Sequence, residues 1–519
     1  MKTMKHFLPL VLAVSLSLVS CSKWLDVRSS EEIIESEAFQ ETEGFRTALV
    51  GIYRQIASPG LWGRELSWGL TSNLANNYQY ASSDPAYRTA LNATTDPYAG
   101  ATIRSHIDAV WETGYNVIAN INELLAQIDG VDASEFEAPF EKEIIMAEAR
   151  GLRGLVHFAL YQLFVPAPVT GYTGNAIPYV TDYPDYQPVT KSVADVQRLI
   201  EEDLKFALDH LYHYDVEEGR NKASFVAGGR NMQNMDYYLY QNAGAWRNDG
   251  VIRDNKADTY GFFVNRGYRL NWWGCNALLS RYYSYLRDFD NAERYADAIL
   301  VDWVNENNYF LYAETPKAAT NPNLIDAKRR TEQLVAVYNN KVAYNWATTA
   351  ATTYYKVINP TTLYDDTQDY RLTDLLDGTT ATNRRPYTWA QQNPAFATTG
   401  NASSIEKYSR PLIPVIELPE LYFIKAECLA RKNDLAGALK CIKDVRDARQ
   451  CIVVKSAADL DSFMTLLVTE AEREFFTRGT AFQFLKKLDW PTMYNGTAVR
   501  KTMPEGWYVL PIPESETSY

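Results

Sequence analysis

The side chains best suited to binding chemistry are aromatic rings and amides that occur together in segments without a helical or strand period. The clearest such segment is 61–80. Tyr and Trp pair an apolar face with a polar edge, which suits flat, hydroxyl-bearing ligands, and amides can bond to the hydroxyls of such ligands. We therefore predict stacking rings with polar partners in this segment. The stacking candidates are Trp62, Trp68, Tyr78 and Tyr80, and the polar candidates are Asn76 and Asn77.

Two further tryptophans lie in other aperiodic segments. Trp346 and Trp389 are additional candidates for ligand contact, in segments 344–355 and 387–392. The whole chain has 36 Tyr and 12 Trp but only 5 His. We interpret the aperiodic segments as surface loops on a rigid helical frame, where binding sites tend to lie. The alternative for each tryptophan is packing in the core beneath its loop.

Patterns for catalysis or metal binding are weak. His210 and His213 are one helical turn apart, but no third ligand is evident, so we interpret them as a surface pair. The acidic run 201–203 is interpreted as the solvated side of an amphipathic helix. Neither a Gly-rich phosphate loop nor a G-x-S-x-G motif occurs. We predict no enzyme activity, no metal and no cofactor. A glycan hydrolase stays open as an alternative, because that chemistry needs only two carboxylates.

Composition excludes one class of partner. The 519 residues carry a formal charge of −13 at pH 7, and the isoelectric point is about 5.1. A general grip on nucleic acid needs clustered Lys and Arg that face phosphates. We therefore predict no nucleic-acid partner. The hydrophobic fraction of 46% is typical of a globular chain that can bury a sizeable core.

The N-terminal residues have the pattern of a targeting signal. Lys2 and Lys5 precede an apolar run over 7–19 that is too short to span a bilayer comfortably. The following Leu18-Val19-Ser20-Cys21 is similar to a bacterial lipobox. We predict that residues 1–20 are a lipoprotein signal peptide and that Cys21 is the lipid attachment site. Acyl chains on Cys21 would tether the protein to a membrane.

The remaining cysteines carry no redox or zinc motif. No C-x-x-C pair occurs among them, and their positions are Cys275, Cys428, Cys441 and Cys451. Cys428 and Cys441 lie in one predicted helical hairpin, so a bridge between them is conceivable. We favour buried free thiols, because Cys428 falls on an apolar helical face.

Helical periodicity dominates the rest of the chain. An apolar face over 144–163 predicts a helix that ends near Phe164, because Pro166 and Pro168 follow. A Pro-, Gly- and Tyr-rich connection spans 165–188. Thr190 or Ser192 is then expected to cap a second helix.

Segments 275–302 and 419–447 are interpreted as two copies of one helical hairpin. In each copy a helix, a short polar turn and a second helix follow one another. We align Asp290 with Asp434, and Ala292 with Ala436. Small residues between paired helices are typical of tetratricopeptide hairpins.

Motifs along nearly the whole mature chain resemble the SusD/RagB family of outer-membrane nutrient-binding lipoproteins from Bacteroidetes. The strongest match is ELPELYFIKAECLAR over 417–431. Other matching segments are WLDV over 24–27, ALVGIY over 48–53, WETGYNVIANINELL over 111–125, the segment 147–161, EREFFTRGTAFQFLKK over 472–487 and LPIP over 510–513.

The chain departs from the family pattern at two places. Val165-Pro166-Ala167-Pro168 stands where family members often have Gly-Asp-Val-Pro. The usual EGxRFfDL is replaced by RGTAFQF over 478–484. These differences indicate a divergent branch, so the ligand of a familiar member does not transfer.

The resemblance implies a mainly α fold, SusD-like, with tetratricopeptide-like helical hairpins and large loop-rich insertions. It implies a single body over 21–519, with an N-terminal region at about 21–215 and a C-terminal region at about 260–519. It also implies a SusC-like TonB-dependent outer-membrane barrel as partner, over which the protein acts as a lid. The expected role is capture of oligosaccharides at the cell surface without catalysis. Peptide capture is the alternative ligand class.

Overall fold

The fold is known from a computed structural model. It describes residues 39–517 apart from several internal gaps, and statements below concern only the described residues. The gaps are 79–88, 91, 94, 138–139, 218–267, 302–327, 330–331, 343–345, 347–356, 378–383, 387 and 390–410. Tyr80 and Cys21, two residues singled out above, lie outside the described residues.

Helices make up most of the described secondary structure. They are α1 (Thr42–Ile56), α2 (Leu70–Leu74), α3 (Ala101–Asp129), α4 (Glu141–Phe164), α5 (Val193–Tyr212), α6 (Trp272–Leu286), α7 (Phe289–Ile299), α8 (Tyr370–Thr373), α9 (Leu418–Arg431), α10 (Leu435–Ala448), α11 (Leu460–Glu474), α12 (Thr480–Lys487) and α13 (Glu514–Thr517). The predicted mainly α class is confirmed.

Strands form four short antiparallel pairs. They are β1 (Asn175–Pro178) with β2 (Thr190–Ser192), β3 (Gln333–Tyr338) with β6 (Leu412–Glu417), β4 (Leu376–Asp377) with β5 (Arg385–Pro386), and β7 (Thr492–Met493) with β8 (Lys501–Thr502). The β1–β2 pair packs on α4 and α5. Its register places Pro178 opposite Thr190, so residues 179–189 form the connection between the two strands.

The predicted C-terminal end of α4 and the predicted start of α5 are confirmed. α4 ends at Phe164, two residues before Pro166, because a proline disfavours helical geometry in the residue before it. α5 begins after Ser192, whose side chain accepts a hydrogen bond from the amide of Asp195. This bond satisfies one of the free amides of the first turn.

The two predicted helical hairpins are confirmed as α6–α7 and α9–α10, which pack against each other through α7 and α9. The alignment of their turns was wrong by two residues. The capping carboxylates are Asp288 and Asp434, which accept from the amides of Asn291 and Gly437. Ala292 therefore corresponds to the buried Ala438, whereas Ala436 is exposed.

The apolar core runs through both halves of the chain as one main cluster, from Phe45 to Leu510. Cys275, Cys428 and Cys441 are buried within it as free thiols, which confirms the prediction against a bridge between Cys428 and Cys441. Over the part of the chain that the structure describes, no helix combines the length and apolarity needed to cross a bilayer.

A buried ionic cluster joins α11 to the elements around it. Glu474 at the end of α11 accepts from Arg371 Nη1 at 2.8 Å and Arg449 Nη2 at 2.7 Å, and it also pairs with Arg329. Burial alone would raise the pKa of Glu474, but the three guanidinium charges hold its pKa well below the usual value. This carboxylate therefore stays ionised. It holds neighbouring elements together through ion pairs and does not act as a proton donor.

Candidate functional site

Three of the rings predicted to contact a ligand come together, but they do so in the core. The rings of Trp68 and Trp346 meet edge to face with centroids 5.2 Å apart, and Tyr78 lies 6.5 Å from Trp346. Their exposed fractions are 0% for Trp68, 1% for Tyr78 and 3% for Trp346. The faces that were expected to meet a ligand are covered by protein.

Trp62 is also buried, and it borders a small cavity rather than an open platform. The cavity has a volume of about 40 Å³ and is lined by Trp62, Leu66, Tyr285 and Phe484, among others. That volume holds about three water molecules, whereas ligand pockets are typically ~300–1,000 Å³. A sugar ring does not fit against Trp62 in this conformation.

Trp389 uses both its edge and its face in contacts within the protein. Its indole N–H donates to the carbonyl of Thr477 at 2.7 Å. The ammonium of Lys328 lies 4.0 Å from its ring centroid, which is cation–π distance. Trp389 is therefore a buried part of the core beside Thr477.

The two candidate asparagines are buried and form hydrogen bonds with backbone groups of the protein. Asn76 has φ 56°, a left-handed conformation that asparagine tolerates well. Its amide nitrogen donates to the carbonyl of Tyr494 at 2.8 Å. The side-chain oxygen of Asn77 accepts from the amide of Thr477 at 2.9 Å. Both side chains join segment 61–78 to distant parts of the chain.

Segment 61–78 is thus buried and mostly irregular, with α2 as its regular part, and its interpretation as a surface loop was wrong. The physical reason is that a buried segment without regular structure needs side chains to satisfy its backbone. Ser67 and Ser72 do this within the segment, through bonds to the carbonyls of Trp62 and Ser67 at 2.7 and 2.6 Å. Ligand contact by the predicted residues stays a prediction, and for the buried ones it requires this core cluster to open.

Exposed aromatic residues occur elsewhere, in the connection between β1 and β2. Every residue from 181 to 190 is exposed, and we call this segment the tyrosine loop. Tyr186 is 87% exposed and Tyr183 is 37% exposed. The sequence signal was the Pro- and Tyr-rich connection, which we treated only as a linker between helices.

A buried polar network fixes the base of the tyrosine loop. The ring of Tyr179 stacks on His157 of α4, with centroids 3.7 Å apart and planes 15° from parallel. The Tyr179 hydroxyl donates to Asp203 of α5 at 2.6 Å. Asn122 of α3 donates to the carbonyl of Val180 at 3.0 Å. Three helices therefore hold the two residues that precede the loop.

His157 is held in one neutral form by these contacts. The amide of Val180 donates to Nε2 at 3.2 Å, so Nε2 is an acceptor and the proton lies on Nδ1. Nδ1 in turn donates to the carbonyl of Arg153 at 3.0 Å. Burial lowers the pKa of His157 to about 3, because the charged imidazolium would lose its hydration. The network therefore does not change its charge near neutral pH.

The interpretation of Asp203 as part of the solvated side of a helix was wrong, because this residue is buried. Arg153 donates to it from Nε at 2.7 Å and from Nη2 at 2.9 Å, and Arg150 donates from Nε at 2.8 Å. Burial would raise the pKa of Asp203, but the Arg153 guanidinium lowers it below the usual value. The partners come from α4, about 50 positions away in sequence, and no local pattern revealed them.

No group of three or more metal-ligating side chains is present within the described ranges.

Comparison with known proteins gives one family match. Residues 23–223 match a SusD-like family described as starch-binding and associating with the outer membrane. A curated relative, the SusD-like protein P25 of Formosa agariphila, is 26% identical over 215 residues. This match covers 40% of the present chain but only 38% of that relative, less than two thirds of its length.

Solved structures extend the likeness to nearly the whole chain. A SusD-like carbohydrate-binding protein from Bacteroides vulgatus aligns with a TM-score of 0.60 at 16% identity, over 92% of this chain and 96% of that one. A SusD superfamily protein from Bacteroides thetaiotaomicron gives 0.59 at 18% identity, over 92% and 98%. A laminarin-binding SusD-like protein gives 0.58 at 16% identity, over 92% and 97%. At these identities the likeness shows a shared fold.

Proposed function

We propose that this chain, which is SusD-like in the sequence of residues 23–223 and in its fold, is a glycan-binding protein of the bacterial outer membrane. The observation that carries the proposal is the family match, because its description combines starch binding with the outer membrane. The laminarin-binding neighbour supports glycans as the ligand class. The role is capture without catalysis.

The finer part of the proposal concerns delivery. The bound oligosaccharide passes to a SusC-like TonB-dependent barrel, over which this protein acts as a lid. The support is the resemblance of motifs from 24–27 to 510–513. The test is affinity purification of the tagged protein from outer membranes of its own organism. Copurification of a TonB-dependent barrel is expected, and its consistent absence would remove the delivery role.

Attachment to the membrane is proposed to occur through acyl chains on Cys21, with residues 1–20 removed. The support is the lipobox-like sequence over 18–21. A Cys21→Ala protein separated from its partner is expected to leave the membrane fraction, because it lacks the chains that partition into lipid. Retention of this variant in outer membranes would contradict the anchor.

Within this proposal, the member of the buried ring cluster nearest in sequence to Tyr80 is Tyr78. Tyr78 and Val357 form an antiparallel bridge, and the amide of Ile358 donates to the carbonyl of Asn77 at 3.0 Å. The chain therefore enters segment 79–88 beside the point where it leaves segment 347–356. In sequence these segments carry Tyr80 and the pair at 354–355. We propose Tyr80 as the direct ligand contact among the sequence candidates, because Trp68, Tyr78 and Trp346 are buried.

Glycan capture is tested with the mature chain carrying Cys21→Ser, which avoids lipid modification. The protein is incubated with insoluble starch and with laminarin, and bound protein and soluble products are measured. Retention on at least one glycan with no shortening of that glycan is expected. Shorter products would favour a hydrolase, and binding only to a peptide mixture would favour peptide capture.

A further inference from the structure

We propose that the tyrosine loop and the groove beside it form a glycan-contact surface, in addition to the site expected near Tyr80. This inference rests on the proposed function, because it takes a glycan as ligand. The surface consists of the rings of Tyr183 and Tyr186 together with polar side chains from β2 and the first turns of α5.

The ring of Tyr186 projects into solvent rather than into the core. Among the described residues, Tyr186 has the largest exposed fraction of any large apolar side chain. Folding gains little from a ring left in water, since hydrophobic stabilisation scales with the apolar area removed from it. An exposed aromatic plane is suited to the C–H face of a sugar, and the hydroxyl of tyrosine adds a polar edge.

A polar groove lies between the two stems of the loop and α5. Its volume is about 460 Å³, which is within the usual range of ~300–1,000 Å³ for ligand sites. The polar side chains that line it include Thr181, Thr190, Lys191, Ser192, Asp195 and Arg198. Hydroxyl, ammonium, carboxylate and guanidinium groups can each bond to a sugar hydroxyl as donor or acceptor. The groove thus supplies hydrogen-bonding partners for a sugar at the base of the loop.

The loop is preorganised from its base. Tyr179 is held by His157 and Asp203 through the network described above. Within the loop, the amide of Gln187 donates to Asp185 at 3.1 Å. Pro184 and Pro188 fix two further backbone torsions. A loop whose backbone is already ordered loses less entropy when it binds a ligand.

A glycan fits this surface better than a protein partner does. The loop alternates its rings with Asp182, Asp185 and Gln187, and six of the eight residues that line the groove are polar or charged. The centre of a protein interface is depleted of charge and is desolvated around apolar anchors. Interspersed charges and hydroxyls match a hydroxyl-bearing ligand instead.

The test compares a loop variant with a matched surface variant. Tyr183→Ala combined with Tyr186→Ala removes both rings, and Tyr338→Ala removes a half-exposed ring at the end of β3. Affinity for the glycan that the wild type binds is expected to fall at least about fivefold in the double variant and to stay within twofold in Tyr338→Ala. Tyr186→Phe keeps the ring and is expected to retain most of the affinity. Thermal unfolding of each variant reports whether the fold is intact.

Each outcome decides the inference. If the wild type binds a glycan and the folded double variant binds it equally well, the inference falls and the proposed function stands. If the wild type binds no glycan, both fall. If the double variant keeps glycan affinity but no longer copurifies with a membrane partner, the loop is a protein-docking surface and the glycan assignment is overturned.

Discussion

Arg153 of α4 and Asp203 of α5 form a buried ion pair in which Nε of Arg153 lies 2.7 Å from Oδ2 of Asp203. The same carboxylate oxygen accepts the hydroxyl proton of Tyr179 at 2.6 Å. The pair thus joins two packed helices and fixes the residue from which the tyrosine loop departs. Its position links the stability of the frame to the geometry of a surface loop.

Replacing Asp203 tests this link. Asp203→Ala leaves the Arg153 guanidinium buried without its partner, so the free energy of unfolding is expected to fall by about 3–5 kcal/mol. The matched control is Glu202→Ala, which removes an exposed ion pair with Arg198 and is expected to cost under about 1 kcal/mol. Urea unfolding measures both. Equal losses in the two variants would contradict the structural role of Asp203.

The neutral His157 predicts a loss of stability in mild acid. Its pKa is lowered to about 3 in the fold, whereas an unfolded histidine titrates near 6.5. The stabilising contribution is fully present above pH 6.5 and declines as the pH falls, because only the unfolded chain takes up the proton. The loss between pH 7 and pH 5 is about 2 kcal/mol.

His157→Gln removes this titration while retaining a polar side chain. Unfolding free energies of wild type and variant are compared at pH 7 and pH 5. The wild type is expected to lose about 2 kcal/mol more than the variant over this interval. Parallel losses in both proteins would show that His157 is not held neutral.

Trp68 distinguishes a core cluster from an exposed platform. Trp68→Ala is expected to lower the free energy of unfolding by about 3–5 kcal/mol, because it opens a cavity beside Trp346 and Tyr78. Tyr338→Ala, at a half-exposed position, is expected to cost much less. A Trp68→Ala protein as stable as wild type would contradict the buried position of this ring.

Gly479 is predicted to be intolerant of a side chain. It has φ 90°, and a Cβ atom there would lie 2.3 Å from the carbonyl oxygen of Leu66. Gly506 also has positive φ, 74°, but no atom lies within 4 Å of its Cβ position. Gly506→Ala is expected to cost about 1–2 kcal/mol, and Gly479→Ala clearly more. Thermal and urea unfolding compare the two, and equal losses would contradict the close approach of Gly479 to segment 61–78.

Local chain chemistry explains why much of the frame could be predicted. The end of α4 before Pro166 and the start of α5 at Ser192 follow from proline sterics and from capping, both of which involve only neighbouring residues. The hairpin alignment failed because Asp288 and Asp290 are both acidic and only one of them caps α7. Sequence alone does not separate two candidates of the same type at such short spacing.

The site was harder to predict for a different reason. A ligand loop and a buried irregular segment need the same residue types: aromatic rings to cover area, and asparagine or serine to form hydrogen bonds. Asn77 bonds to Thr477, 400 positions away in sequence. Partners so distant are invisible to a pattern read within one segment. The exposure of Tyr186 likewise depends on how β1, β2 and α5 pack.

The most direct measurement of the central claim is calorimetric titration of the mature Cys21→Ser protein with oligosaccharides derived from starch and from laminarin, followed by chromatography of the recovered sugar. Saturable binding of at least one series, with chain length unchanged after incubation, is the predicted result. Absence of heat with both series, or recovery of shortened oligosaccharides, would contradict a glycan-capturing role without catalysis.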